Sequence, residues 1–331
     1  MKTVFIPLNT SIPIERQFPK RSKIWGNYEF IIAKSCTKHY DYIVVLDDLH
    51  KEINIKCKKS NIILLTGEPP YVKLYPNKYL NQFGQIITCQ DVLKNRKNCK
   101  IHHPILPWML YYNFYNTEQG QHQLWDYDYF LNNNSPNEKV NKICLFTSNK
   151  RISKGHIKRI DFALKLKNKY PNLIDIYGKG FEDVDYKYEI LQKYKYSIVI
   201  ENCQYPNYWT EKLADCFLAN SYPIYCGDPN ILSYFNEKSL SIINIENFEE
   251  SEQVIRKVLD NNIFEKQFDY IIQSKLLILN TYNMFSEIAH ILDNIKENGE
   301  ITNTTLKPIQ FNGYERVRKY LFKLFNIYIN K

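Results

Sequence analysis

The sequence predicts an α/β protein of two domains that ends in helices. Short apolar runs of strand length recur along the chain, helical segments alternate with them in the second half, and 331 residues exceed what one ordinary core organises. Domains cluster near ~100 to 150 residues, so two units are expected. Residues 3–6 (TVFI), 42–46 (YIVVL), 61–65 (NIILL) and 85–88 (QIIT) read as strands, each ended by polar or turn residues. Continuous apolar runs of this kind suit parallel strands buried on both faces. Residues 107–138 then mix aromatics with Asn, Gln and Asp and close on LNNNSPNEK, the composition of an exposed connection, so the first domain is expected to span 1–138.

Beyond that boundary the alternation is regular. Strands at 142–147, 173–177, 196–201, 222–226 and 240–245 are separated by helices near 154–169, 186–194, 209–219 and 229–235, with another from about 247. This pattern predicts a parallel sheet with helices on both faces, over 139–290. Such sheets bind ligands at the carboxyl ends of their strands, beside helix N-termini. Residues 291–331 are expected to form a helical tail.

Composition narrows the partners. Hydrophobic residues at 44% and charged residues at 24% are ordinary for a globular protein, and 27 Tyr with 18 Phe fit an Ile-, Lys- and Asn-rich chain without a functional cause. The formal charge of +9 points to anionic partners. Basic residues are scattered, without zinc-finger spacing, an RNP-like motif or a helix-turn-helix signature, which argues against nucleic acid. Eight cysteines include no CxxC pair, and several lie in apolar runs such as ICLF and IYCG, so they read as reduced and structural. The start, MKTVFIPLNTSIPIERQF, lacks the apolar region of a signal peptide, and no run approaches the ~18 apolar residues of a spanning helix. A cytoplasmic protein is expected. The stretch 314–331 places Val317, Tyr320, Leu321, Leu324 and Phe325 at helical spacing among Arg316, Arg318, Lys319 and Lys323. Such a basic amphipathic helix suits peripheral contact with an anionic membrane, or docking on the protein's own core.

Candidate chemistry concentrates in IENCQYPNYWTEKLADCFLANSYPIYCGDPN, residues 200–230. A strand runs into a polar loop, and Thr210 stands where it caps the next helix, whose apolar face is Leu213, Ala214, Phe217 and Leu218. Glu211 and Lys212 then sit on the first helical turn, where free N–H groups and a lysine attract phosphate. Glu211 would oppose an anion unless it binds something else, such as a ribose diol. A capped surface helix with solvated Glu and Lys accounts for the same residues equally well. Asp47 and Asp48, after the strand YIVVL, could hold a divalent cation against a diphosphate, although Asp pairs in turns are common for local reasons.

The run Glu201-Asn202, Tyr208, Thr210-Glu211-Lys212, Pro223-Ile224-Tyr225 and Gly227 resembles the donor-site signature of glycosyltransferase family 10, the α-1,3/4-fucosyltransferases. The spacing is long and specific. Two further elements agree with the family. Arg159, followed by Phe162, stands in register with the R-x-x-F pattern whose basic residue contacts the nucleotide phosphates. Glu68, in LLTGEPPYVK, matches the TGE element whose glutamate is the family's proposed general base.

The resemblance implies a GT-B fold of two Rossmann-like domains facing across a cleft, an N-terminal one for the acceptor and a C-terminal one for the nucleotide sugar. It implies an inverting transfer of L-fucose from GDP-fucose to a glycan hydroxyl, α-1,3 or α-1,4 on a GlcNAc-containing oligosaccharide or glycolipid, as in surface-polysaccharide synthesis. Glu68 would be the catalytic base, and Arg159, Asn202, Tyr208, Thr210, Glu211 and Lys212 would bind the donor. Arg159 and Lys212 already supply positive charge for the leaving group, so no cofactor is expected and a divalent metal should be dispensable. Ile200, Asn207 and Trp209 depart from the family's usual aromatic, acidic and small residues, and SNKRISKGHIKR looks closer to bacterial surface-polysaccharide members. A transferase using another GDP- or UDP-sugar, or a noncatalytic nucleotide- or glycan-binding protein, is the alternative reading.

Overall fold

The computed structural model describes residues 1–8, 12–36, 38–113, 125–136, 138–149, 151 and 154–313. The chain forms two compact units, one of residues 1–106 together with the chain from 284 on, the other of residues 107–283.

The first unit contains β1 (Lys2–Pro7), β2 (Ile24–Trp25), β3 (Tyr28–Ala33), β4 (Tyr42–Leu46), β5 (Ile53–Lys58), β6 (Ile62–Leu65), β7 (Gln85–Thr88) and β8 (Cys99–Ile101), with a short helix α1 (Asn77–Leu80). Its main sheet runs β2-β3-β1-β4-β6-β7-β8, parallel throughout except for the β2–β3 pair. Adjacent residues point to opposite faces, and both faces are covered. Val4, Ile6, Val44, Ile63 and Leu65 pack on one side, and Phe5, Ile43, Val45, Ile62 and Leu64 on the other. This two-sided burial is why the central strands, YIVVL in β4 and IILL in β6, are apolar at successive positions.

The second unit contains α2 (Tyr127–Asn132), β9 (Val140–Phe146), α3 (Lys154–Lys169), β10 (Ile174–Tyr177), α4 (Lys187–Leu191), β11 (Tyr194–Ile200), α5 (Glu211–Leu218), β12 (Tyr222–Cys226), β13 (Ser241–Ile242), α6 (Phe248–Asp260), α7 (Ile263–Lys266) and α8 (Phe268–Asn280). Its sheet, β10-β9-β11-β12-β13, is wholly parallel. The expected helix at 229–235 is only a 3-10 turn, Ile231–Ser233.

Two boundaries differ from the sequence expectation. The described parts of 107–138 belong to the second unit, not the first. The N–H groups of Met109 and Leu110 donate to Asp215 Oδ1 at 3.0 and 3.2 Å, Trp125 lies edge-on to Tyr188 at 4.9 Å, and Tyr127 donates to Asn280 Oδ1 at 2.6 Å. Among the described residues of that stretch, Trp108, Tyr111, Tyr112, Trp125, Tyr127 and Phe130 are therefore core residues.

The other correction concerns the tail expected at 291–331. After α9 (Met284–Asp293), residues Ile301–Leu306 form β14, which pairs antiparallel with β5, with Leu306 opposite Ile53. ITNTTL is rich in β-branched residues, which favour a strand over a helix. The apolar face of α9, with Phe285 stacked on Phe18 at 3.6 Å, covers one side of the first sheet. Glu297 then ties the returning chain to Lys2 at 2.7 Å, Lys58 at 3.0 Å and the Tyr42 hydroxyl at 2.8 Å. The basic stretch 314–331 lies outside the described residues. Among the described residues no helix is long and apolar enough to cross a membrane.

Candidate functional site

Six of the seven expected site residues belong to the second unit, where hydrogen bonds link Arg159, Asn202 and Tyr208 in one group and Thr210, Glu211 and Lys212 in another. The β11 strand ends at Ile200, and the next residue, Glu201, turns its carboxylate inward, 4% exposed. One oxygen accepts the N–H of Thr210 at 2.8 Å, and the other accepts the Thr210 hydroxyl at 2.8 Å and the Lys212 ammonium at 3.3 Å. Glu201 thus folds the loop 202–209 back so that α5 begins beside the strand's end. Gly227, after β12, admits no side chain, because a Cβ would lie 2.3 Å from the Tyr225 hydroxyl and 2.5 Å from Glu201 Cγ.

On that frame Thr210 caps α5 by accepting the N–H of Lys212. Lys212 Nζ lies 2.9 Å from Thr210 Oγ1 and 3.3 Å from Glu211 Oε1. Burial pushes the Glu211 carboxyl upward, but Lys212 and Lys187 outweigh it and hold the group below its ordinary range. For Glu201 the balance falls the other way: burial raises it, opposed by Lys212. A small recess beside Lys212 is lined by Phe146, Lys187, Leu191, Val199 and Asp215.

Arg159, on α3, is the decisive residue. It is 6% exposed, and Nη1 donates to Asn202 Oδ1 at 3.3 Å, while the buried Nε has no hydrogen-bond partner among the described residues. Burial lowers its pKa, with Glu201 pulling the other way. Asn202 Nδ2 lies 3.5 Å from the hydroxyl of the buried Tyr208. A guanidinium with one long hydrogen bond and an orphaned buried N–H retains capacity for an anion. Phe162, one turn on, is buried against Phe248 at 5.8 Å.

The departures from the family pattern have local causes. Asn207 adopts φ of 58°, a conformation Asn tolerates better than most residues, and its N–H donates to Asp228 Oδ1 at 3.0 Å. Trp209 is buried against Phe235 and Tyr282, with ring centroids 5.3 and 5.5 Å away.

Lys187 and Asp215 were not among the expected site residues. Their ion pair, at 3.0 Å, joins α4 to α5, with the Asp215 carboxylate 1% exposed. They are 28 residues apart in sequence, so no spacing rule connects them.

In the first unit, Glu68 follows β6 by three residues and is half-buried. The loop is held by a Thr66–Thr88 hydroxyl bond of 2.6 Å and by Gln90 Nε2, which donates to the Glu68 carbonyl at 2.8 Å. The Asp47–Asp48 pair has other roles. Asp47 pairs with Lys73 at 2.5 Å, accepts the Tyr75 hydroxyl and receives the Gly67 N–H at 3.1 Å; Asp48 accepts the N–H groups of Leu49 and Ile309 at 2.7 and 3.0 Å. Asp47 thus holds the turn that carries Glu68, whereas Asp48 ties its own loop to the returning chain at Ile309.

Residues 136–298 match the family described as "Glycosyltransferase family 10 (fucosyltransferase) C-term". That stretch is similar to the C-terminal part of family 10 proteins. Its matched residues include all six donor-site candidates. Over 75 residues, 22% of the chain, it is 36% identical to the α-(1,3)-fucosyltransferase FucT of Helicobacter pylori. Over 274 residues, 73% of the chain, it is 24% identical to a protein of Acanthamoeba polyphaga mimivirus provisionally named fucosyltransferase R654. The chain spans 16% and 39% of the lengths of these two relatives. A crystal structure of an α1,3-fucosyltransferase with GDP-fucose superposes with a TM-score of 0.53 at 19% identity, covering 91% of each chain. The chain therefore has a GT-B-type α/β fold with two Rossmann-like sheets, as expected.

Proposed function

We propose that this chain is an inverting glycosyltransferase that moves L-fucose from GDP-fucose to a hydroxyl of a glycan, forming an α-1,3 or α-1,4 bond to a GlcNAc-containing acceptor. The observation that carries the reading is Arg159, a buried guanidinium whose Nε has no partner among the described residues, set beside Asn202 and Tyr208 in the stretch similar to family 10. In this mechanism Glu68 takes the proton of the acceptor hydroxyl as its oxygen attacks the anomeric carbon and GDP departs from the opposite face. A β-linked donor gives an α-fucoside after one such displacement. Negative charge grows on the leaving diphosphate, where Arg159, Lys212, the Tyr208 hydroxyl and the first N–H groups of α5 stabilise it. Asn202 positions the donor, Thr210 holds the helix start in place, and Glu211 binds the ribose diol.

Two protein cations serve the diphosphate, so the transfer step needs no divalent metal and no other cofactor. The acceptor is an oligosaccharide or glycolipid of surface-polysaccharide type, and nucleic acid is not a partner. A cytoplasmic location, with the basic stretch 314–331 touching an anionic membrane, fits such an acceptor. The test is a panel of GDP- and UDP-sugars offered with galactose- and GlcNAc-containing acceptors, read by mass. Addition of one deoxyhexose from GDP-fucose alone supports the reading. Transfer from a UDP-sugar instead would assign the site to another donor, and nucleotide binding without transfer or donor hydrolysis would make the chain a binding protein.

A further inference from the structure

We infer that the first unit contains a binding site for one divalent first-row transition ion, best suited to Zn2+, formed by His102, His103 and Glu287. The two histidines follow β8, and Glu287 lies on α9. Candidate ligand atoms of the three all lie within 4.8 Å of one another.

The argument rests on where the imidazole protons must be. His102 Nδ1 is 2.9 Å from the His103 carbonyl, and His103 Nδ1 is 3.0 Å from the Pro104 carbonyl. A carbonyl oxygen only accepts, so each Nδ1 carries the proton and each neutral ring presents its lone pair at Nε2. Both Nε2 atoms face one carboxylate: His103 Nε2 is 2.8 Å from Glu287 Oε1 and His102 Nε2 is 3.5 Å from Glu287 Oε2. A lone pair facing a carboxylate is repulsive unless a cation stands between them. Protons could serve, but they would put two imidazolium rings at a centroid distance of 4.5 Å, with His103 3% and His102 24% exposed. One proton on His103 leaves Glu287 Oε2, on a side chain 7% exposed, without a hydrogen bond among the described residues.

A metal ion satisfies all three groups at once. Nδ1–H donated to a main-chain carbonyl, with Nε2 left to ligate, is the outer-sphere arrangement metal-binding histidines adopt. Two imidazoles and one carboxylate suit zinc and its neighbours, whereas Mg2+ and Ca2+ prefer oxygen. Ligand bonds of ~2.0–2.1 Å in a tetrahedron set donor atoms ~3.3 Å apart, so the His103–Glu287 pair would open by about half an ångström. The exposed side of His102 leaves a fourth position for water. Because His103 and Glu287 are 184 residues apart in sequence, the ion would fasten α9 to the strand-end loop of the first sheet. Asp47 and Asp48 take no part.

The full chain, stripped of metal, should take up one Zn2+ per molecule with a rise in Tm, and Co2+ in its place should give a visible spectrum of nitrogen and oxygen ligation without a thiolate charge-transfer band. Uptake should weaken as pH falls through the imidazole range. His102→Ala, at the most exposed of the three positions, should weaken binding at least tenfold while leaving GDP affinity unchanged, and Glu287→Gln should do the same. No uptake by the folded protein, or uptake and a Tm rise identical in both variants, would overturn the proposal and leave a proton-bridged ion pair.

Discussion

Replacing Arg159 with Met should stabilise the nucleotide-free protein while destroying its affinity for GDP. In the free protein the guanidinium is buried and, among the described residues, makes one side-chain hydrogen bond of 3.3 Å and leaves Nε unsatisfied. A bond of that length contributes at most about 1 kcal/mol, whereas an unsatisfied buried donor costs about 1–3 kcal/mol. Methionine fills similar volume without the polar group, and Glu201 loses a neighbouring positive charge. The balance predicts a gain of about 1 kcal/mol, in line with apolar replacements of buried ions. With GDP bound, the same substitution removes a paired, charge-assisted contact worth about 3–4 kcal/mol, equivalent to a ~10²–10³-fold loss of affinity. Urea unfolding without nucleotide gives the first quantity, and calorimetric GDP titration gives the second. A variant less stable by about 2 kcal/mol that binds GDP within a few-fold of the parent would refute the reasoning, because Arg159 would then be a packing residue.

Glu68→Ala should lower turnover ~10²-fold or more at unchanged GDP affinity, as loss of a general base requires. Lys212→Ala should weaken GDP binding at least tenfold, and calorimetry with steady-state kinetics separates the two. Omitting Mg2+ and Mn2+ from the assay should leave turnover within about twofold, whereas a requirement for either added ion would contradict the charge assignment. Lys275, fully buried, donates to Asn133 O at 2.5 Å and Asn220 Oδ1 at 2.9 Å, and burial with the charge of Lys139 lowers its pKa from 10.5 to about 7. Between those pH values the unfolded chain holds a proton the folded chain lacks, so the Lys275 contribution to stability rises with pH from about 7 towards 10.5. Lys275→Met should flatten this rise, by up to ~1.4 kcal/mol per pH unit, in urea midpoints followed from pH 7 upward. An unchanged slope would show that Lys275 stays charged.

Strands buried on both faces were legible, because such burial demands apolar residues at successive positions. YIVVL became β4, QIIT became β7 and YPIYC became β12. INIKCK, which forms β5, alternates apolar and polar residues and contains no continuous run, so it carries no such signal. β14 left less trace. ITNTTL is polar, and its register comes from a partner far upstream, Ile53–Lys58.

The donor segment was readable for a related reason. Glu201, Thr210 and Lys212 meet through a strand-loop-helix turn only a few residues long, so local spacing implies their proximity. Lys187 with Asp215, and His103 with Glu287, are brought together by packing of distant elements, which a single sequence does not encode locally.

The most direct test of the central claim is proton NMR of the first product formed from GDP-fucose and a GlcNAc-containing acceptor by the intact chain. The account predicts an α-fucoside from the earliest time points, with GDP released in equal amount. A β-fucoside, or GDP-fucose left intact while a different nucleotide sugar is consumed, would contradict it.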